Sequence, residues 1–124
     1  MSRNLMCVMT QPIAGMEDEF RRCYDNQHLP DVMRVPGFVT GQRFQLSEIQ
    51  HKTPPFSQSY FAFYDLDPDD LSVLNCEIVR RVGTAEMPMS NAISPEIYRF
   101  FCDPVTPRIV KDPARTLTPP KNRH

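Results

Sequence analysis

The 124-residue sequence predicts one α+β domain in which two helices cover one face of a four-stranded antiparallel sheet. The hydrophobic pattern changes along the chain between the alternation of strands and the spacing of helices, in the order β-α-β-β-α-β. The length allows one core of ordinary size. A composition of 40% hydrophobic and 23% charged residues is typical of globular proteins and argues against disorder.

The first strand and the first helix are predicted within the first third of the chain. Residues 5–9 are apolar almost without interruption, which indicates a strand buried on both faces. After a proline and a glycine, apolar residues recur at helical spacing from Met16, and three acidic residues stand in the first turn. We expect Pro30 to end or kink this helix and a further turn to cover residues 31–34.

Two strands joined by a polar loop follow a Pro-Gly turn. Residues 38–46 alternate in character, which places Arg43 and Phe44 on opposite faces of a strand. Residues 47–57 are polar and contain two consecutive prolines, so they are predicted to form a loop. Residues 58–66 are rich in aromatic side chains and indicate a strand antiparallel to the one before.

The second helix is predicted to begin at Asp67, which would act as the N-cap with Pro68 in the first helical position. Its apolar stripe is followed by two arginines in the last turn and by Gly83 as the C-terminal cap. Residues 83–95 are then expected to form a loop, and residues 97–102 the last strand.

The element order is that of the ferredoxin-like split βαβ fold. We expect this domain to span residues 1–102, and residues 103–124, which hold five prolines, to form a Pro-rich C-terminal tail. The tail carries too little charge to predict a nucleic-acid-binding arm.

The open face of the sheet, the face turned away from the helices, is expected to be apolar. In the first strand Leu5, Cys7 and Met9 stand on one side and Met6 and Val8 on the other, so neither side is polar. A bare apolar sheet face would form a large adhesive patch. We therefore expect a homodimer in which two open faces pack together, with the tail placed to lie across the partner.

Several classes of function are disfavoured by composition and motifs. A net charge of −1, from 14 basic and 15 acidic residues, predicts no binding of nucleic acid or of an anionic membrane. The sequence contains no nucleotide-binding glycine motif and no His/Cys spacing for a metal, so we expect no metal and no cofactor. Without a membrane-length apolar run or a signal peptide, the protein is expected to be cytoplasmic, with its four cysteines reduced.

The segment from Tyr24 to Asp31 concentrates the residues that could carry chemistry. Residues three or four apart share a face of a helix, so Tyr24, Asp25 and Asp31 are all within reach of His28. An imidazole exchanges protons near neutral pH, a carboxylate would set its tautomer and raise its pKa, and a phenol would orient a substrate oxygen. The alternative is that His28 only stabilises a helix C-terminus.

The same segment carries a family resemblance. Tyr24-Asp25-Asn26-Gln27-His28-Leu29-Pro30-Asp31, then Val35-Pro36-Gly37-Phe38 and Gln42-Arg43-Phe44, resembles the dimeric α/β-barrel proteins and, within them, the EthD-like group. That group carries a Tyr-x-x-x-His-x-Pro motif in its first helix, followed by Pro-Gly-Phe and a strand with an arginine. The resemblance is specific over residues 5–46 and architectural over residues 58–102. It implies a ferredoxin-like fold that dimerises through its sheets, with a cleft in each subunit between sheet and helices.

Carried over by position, the resemblance marks Tyr24 and His28 as catalytic and Arg43 as a substrate-binding residue. We expect Asp25, Asp31 and Tyr60 to contribute to the same substrate site. A buried arginine requires a carboxylate or a ligand anion, so the alternative is an ordinary ion pair of Arg43 with an aspartate, for which Asp31 is a candidate. Tyr60 and Tyr64 share one face of a strand, and the favoured interpretation places them in the dimer interface rather than in a pocket.

The resemblance implies a cofactor-independent acid–base enzyme of isomerase, cyclase or lyase type. Its substrate would be a small oxygenated aromatic, lactone or polyketide-like compound of a catabolic or secondary-metabolic pathway. His28 would act as general base and then acid, and Tyr24 would donate a hydrogen bond to a carbonyl or enolate oxygen. The alternatives are a cofactor-free monooxygenase of the same fold and a non-catalytic dimer that binds a small ligand, with haem binding as a weaker idea.

Overall fold

Four strands and three α-helices build the described part of the chain, which comprises residues 3–112 of a computed structural model. In chain order they are β1 (Asn4–Thr10), α1 (Glu17–Cys23), α2 (Leu29–Met33), β2 (Phe38–Gln45), β3 (Tyr60–Leu66), α3 (Leu71–Arg81) and β4 (Tyr98–Cys102), and a π-helical segment (Tyr24–His28) joins α1 to α2. The strands form one sheet in the order β2-β3-β1-β4, and all neighbouring pairs are antiparallel. This topology confirms the predicted ferredoxin-like α+β fold.

The core lies between the helices and the covered face of the sheet, the face that packs against them. Successive side chains of a strand point to opposite faces, so Met6 and Val8 of β1 face the helices together with Tyr64 of β3. Complete burial of such a side chain contributes about 1.5–3 kcal/mol to the free energy of unfolding. The helices supply the buried side chains of Phe20, Val32, Leu74 and Ile78.

The first helical stretch continues through Pro30, where a stop or a kink was expected. Its π-helical segment makes this possible: the backbone N–H of Leu29 donates to the carbonyl of Tyr24, five positions earlier instead of four. A proline lacks an N–H and crowds the carbonyl of the preceding turn, and the wider turn accommodates both effects. As a result α2 follows directly, and Tyr24 and His28 both lie in the widened turn.

The second helix begins three residues later than predicted. Asp70, not Asp67, is the N-cap of α3, and its carboxylate accepts hydrogen bonds from the Ser72 N–H at 2.9 Å and the Ser72 hydroxyl at 2.6 Å. Asp67 instead donates its backbone N–H to the carbonyl of Gly37 at 2.7 Å. The segment predicted as a cap therefore holds the end of β3 against the turn before β2.

The open face of the sheet is aromatic, as the sequence predicted. Phe44 contacts Phe63 with ring centroids 5.3 Å apart, and Phe63 stacks on Phe61 at 6.3 Å. Phe44 is 43% exposed, and Phe100 of β4 is equally exposed. Tyr60 and Tyr64 lie on the covered face instead, so their expected place in the dimer interface is wrong.

The part of the predicted tail that the structure describes, residues 103–112, contains no helix or strand. Arg108 reaches back to Asp65 of β3, with 3.4 Å between the guanidinium and the carboxylate. Val105, Ile109 and Val110 remain 96%, 85% and 79% exposed. The remainder of the tail, residues 113–124, lies outside the described residues.

Candidate functional site

A cavity of about 280 Å³ lies between the sheet and the helices, and most of its wall is apolar. Side chains from β1, the π-helical segment, α3 and the loop before β4 enclose it. Its polar side chains are those of Thr10, Tyr24, His28, Tyr64 and Arg99. An apolar cavity with a few convergent polar groups is the usual form of a small-molecule site.

The widened helical turn places Tyr24 and His28 next to each other in the cavity wall. Their ring centroids are 4.8 Å apart and their planes meet at 73°, an edge-to-face contact. Tyr24 is 2% exposed and His28 is 8% exposed. The geometry confirms that these two side chains are neighbours, as their spacing predicted, while their catalytic roles stay predictions.

Burial determines the protonation state of His28. Removal from water lowers the pKa of the imidazole below its ordinary value, and the carboxylate of Asp31 raises it in part. Its Nδ1 atom is buried without a hydrogen-bond partner among residues 3–112. His28 is therefore neutral at neutral pH, the form of an imidazole that can accept a proton.

Two buried phenols stand in the same wall. Burial raises the pKa of Tyr24 to about 12, against opposing effects of the Arg43 guanidinium and a side-chain hydrogen bond with Thr10. Burial also raises the pKa of Tyr64, and the neighbouring Tyr24 adds to this rise. A Cβ atom on Gly41 would lie 2.8 Å from the Tyr64 ring, so the glycine is what makes room for that ring. Both phenols keep their protons at physiological pH and remain hydrogen-bond donors.

Unpartnered polar atoms are concentrated in this cavity. Within the described residues, three buried side-chain atoms lack a hydrogen-bond partner: Nδ1 of His28, Oη of Tyr64 and Oε1 of Gln58. The first two belong to residues of the cavity wall, whereas the Gln58 amide is held elsewhere by the carbonyl of Glu96. A buried polar group without a partner costs about 1–3 kcal/mol. Two such groups in residues of one cavity wall make this wall the candidate functional site.

Arg43 lies on the other side of Tyr24, away from the cavity. Its guanidinium carbon is 4.7 Å from the centroid of the Tyr24 ring, and it forms an ion pair with Asp25. Arg43, Asp25 and Tyr60 border a separate depression at the surface. The structure therefore does not bring these three predicted substrate-binding residues into the cavity wall.

Asp31 is buried but is not the partner of Arg43: the ordinary ion pair considered as the alternative is present, with Asp25 in place of Asp31. Asp31 pairs with Arg34, which follows it by three positions on the same stretch of helix. Asp25 lies in the widened turn and is the carboxylate that reaches β2. Asp31 does not line the cavity, and it acts on the site through its effect on the pKa of His28.

Arg99 of β4 lines the cavity and was not among the residues that the sequence singled out. It faces Val8 of β1 across the sheet, on the covered face, together with the core-packed Phe101. A signal for it exists in the sequence, because an arginine two residues from an inward-facing aromatic residue of a predicted strand must also point inward.

Two further features concern metal binding and membrane insertion. Among residues 3–112, no three His, Cys, Asp or Glu side chains are grouped so that they could hold a metal ion. The helices within the same range lack the length and apolar character of a membrane span.

Comparison with known proteins shows a distant structural similarity. No protein-family model matches the sequence, and no curated protein is similar enough to match it. The solved structure of an ethyl tert-butyl ether D (EthD) family protein from Bacillus halodurans C-125 shares 13% sequence identity with this chain, at a TM-score of 0.43. The similarity covers 81% of this chain and 97% of that one. It is a distant similarity of fold, so the site has to be understood from the chain's own residues.

Proposed function

We propose that this protein is a cofactor-independent acid–base enzyme that moves a proton on a carbon next to a carbonyl group. Its substrate is a small, largely apolar oxygenated compound, and the reaction is an isomerisation, a cyclisation or an elimination. The observation that carries the proposal is the pair of buried, unpartnered polar groups, Nδ1 of His28 and Oη of Tyr64, in residues that line one apolar cavity.

His28 is the general base of this proposal. The neutral imidazole takes the proton from the carbon beside the carbonyl, and the electron pair of that C–H bond passes into an enolate. The imidazolium then returns the proton to another carbon of the same compound, or to the leaving group of an elimination. Because burial lowers the pKa of His28, the imidazolium is a good proton donor in the second step.

Tyr64 is the proposed donor to the enolate oxygen. The sequence pointed to Tyr24 for this role, but Tyr24 already has a hydrogen bond with Thr10, whereas the hydroxyl of Tyr64 has no partner among the described residues. A protonated phenol in a water-poor cavity stabilises negative charge that develops on oxygen. Tyr24 then supports the site through its edge-to-face contact with the imidazole.

The proton transfer can be tested by hydrogen–deuterium exchange. The protein is incubated in D₂O with small aryl ketones, 1,3-diketones and butenolides, and loss of the proton beside the carbonyl is followed by proton NMR. We expect catalysed exchange, and we expect His28→Gln to lower its rate by about 10²-fold or more, the usual contribution of a positioned acid–base group.

The matched control is His51→Gln, because His51 is exposed in the loop between β2 and β3 and lies outside the cavity wall. It should exchange at the wild-type rate. Equal rates for His28→Gln and wild type would exclude His28 as the general base. Absence of exchange with every compound would refute the enzyme and favour the alternative of a non-catalytic protein that binds a small ligand. Oxygen uptake in the same reactions would indicate the monooxygenase instead.

We also propose that the protein works as a homodimer through its open sheet face. The exposed rings of Phe44, Tyr98 and Phe100 support this, as do the exposed apolar side chains of the tail segment beside that face. Light scattering should give twice the chain mass, and Phe44→Glu should give a monomer, while Val73→Glu on the outer side of α3 should not. A wild-type monomer at micromolar concentration would exclude the assembly.

A further inference from the structure

Arg99 is the cation of the cavity wall. It lies on β4, an edge strand of the sheet, and its guanidinium carbon is 5.6 Å from the centroid of the Phe101 ring. Among the residues that line the cavity it is the only Lys or Arg, and no Asp or Glu lines the cavity with it. The cavity therefore combines an apolar interior with one fixed positive charge.

The only hydrogen bond that the Arg99 side chain makes with residues 3–112 is to a neutral group. Its Nη1 donates to Oδ1 of Asn75 on α3 at 2.8 Å, and it forms no ion pair within that range. The other arginines with little exposed side chain, Arg43 and Arg81, are both paired with carboxylates. Arg99 is thus the exception among the partly buried arginines of the described chain.

A guanidinium withdrawn from water without an anion is energetically unfavourable. Burial lowers the pKa of Arg99, which means that its charged form is disfavoured where it stands. A guanidinium carries five N–H donors in a planar fork that fits the two oxygens of a carboxylate. Asn75 uses one of the five and holds the side chain in position, so the remaining donors can serve a ligand.

We propose that Arg99 binds the carboxylate of the substrate, with Asn75 as its positioning residue. The compound on which His28 acts is then a small, largely apolar ketone or lactone acid, with its carboxylate on Arg99 and its carbonyl near Tyr64. This inference rests on the proposed function, because it names the class of that enzyme's substrate. Apolar walls between the two polar ends accommodate the body of the molecule.

The test compares an acid with its neutral amide. The probes are 4-oxo-4-phenylbutanoate and 4-oxo-4-phenylbutanamide, and their dissociation constants are measured by calorimetry with the full-length protein. We expect wild type to bind the acid at least about tenfold more tightly, because charge-assisted hydrogen bonds to a carboxylate exceed neutral ones. Arg99→Met should remove this preference while it keeps the binding of the amide, and Arg99→Lys should restore part of it.

The control is Arg80→Met, because Arg80 is exposed, paired with Glu77 and Glu86, and not part of the cavity wall. It should retain the wild-type preference. Equal binding of acid and amide by wild type, a preference that persists in Arg99→Met, or no binding of either probe would overturn the inference. Binding of the acid that depends on Arg99, without proton exchange by wild type, would refute the proposed function and leave the anion site intact.

Discussion

Two arginines on the covered face of the sheet, one on each edge strand, differ in what neutralises them. Arg43 on β2 is paired with Asp25 and lies over Tyr24, with the rings of Phe20 and Tyr60 also within 5.8 Å of its guanidinium carbon. Arg99 on β4 has only a neutral amide as its hydrogen-bond partner among residues 3–112. The guanidinium on β2 is paired with a carboxylate of the chain itself. The guanidinium on β4 has no anionic partner among residues 3–112.

The same contrast holds for the polar groups between the two edges. The phenol of Tyr24 has a hydrogen bond with Thr10, but the phenol of Tyr64 and Nδ1 of His28 have no partner within the described chain. Groups that satisfy one another stabilise a fold, and groups left unpartnered in a cavity indicate a ligand. Under the proposed function the cavity is therefore the substrate site, whereas Arg43 is paired within the fold.

The largest expected effect concerns Tyr64. Tyr64→Phe removes an unpartnered buried hydroxyl, so proton exchange should fall by about 10²-fold, as for loss of one donor to a developing oxyanion. The free energy of unfolding should stay the same or rise, because the group removed makes no hydrogen bond within residues 3–112. Exchange kinetics and urea unfolding measure the two effects.

Tyr60→Phe is the control for this change, since Tyr60 lies on the same face of β3 but outside the cavity wall. Its exchange rate should equal that of wild type. A Tyr64→Phe protein that loses stability and keeps its exchange rate would show that the hydroxyl is structural.

The two arginines provide the next largest effect. Arg43→Met removes an ion pair and a cation–π contact, so the free energy of unfolding should fall by about 1–2 kcal/mol. Arg99→Met removes a hydrogen bond to a neutral amide and a contact with the Phe101 ring, but it also removes a partly buried cation that lacks an anion, so stability should fall less than for Arg43→Met. Urea unfolding of both variants measures the difference, and equal losses would contradict the contrast between the two edges.

The smallest expected effect is a dependence of stability on pH. Because the pKa of folded His28 lies below the ordinary value of 6.5, the unfolded chain binds a proton that the folded chain does not between these two values. This contribution is complete above pH 6.5 and is lost as the pH falls through the folded pKa. Urea midpoints between pH 8 and pH 5 should fall more for wild type and for His51→Gln than for His28→Gln.

Local patterns were sufficient for the fold and for the neighbouring pair of site residues. An apolar run, alternation and aromatic content predicted β1, β2 and β3, and all four strands were predicted to within one or two residues at each end; the spacing of Tyr24 and His28 predicted their contact. Both depend on the repeat of the backbone, which is a property of the chain over a few residues. The start of α3 was wrong because Asp67 has a partner in a distant turn, which no local cap rule contains.

Which charges and hydroxyls find partners depends instead on contacts between distant segments. The sequence around Arg43 does not predict that Asp25, 18 positions earlier, forms an ion pair with it. It also does not predict that Asp31 pairs with Arg34. Arg99 and Tyr64 can be recognised as site residues only in the folded structure, where β4 and β3 line the same cavity. Whether a polar group lacks a partner depends on all the elements that surround it. The repeat of the backbone thus defines which side of each element faces inward, and packing defines which inward-facing polar groups are left for a ligand.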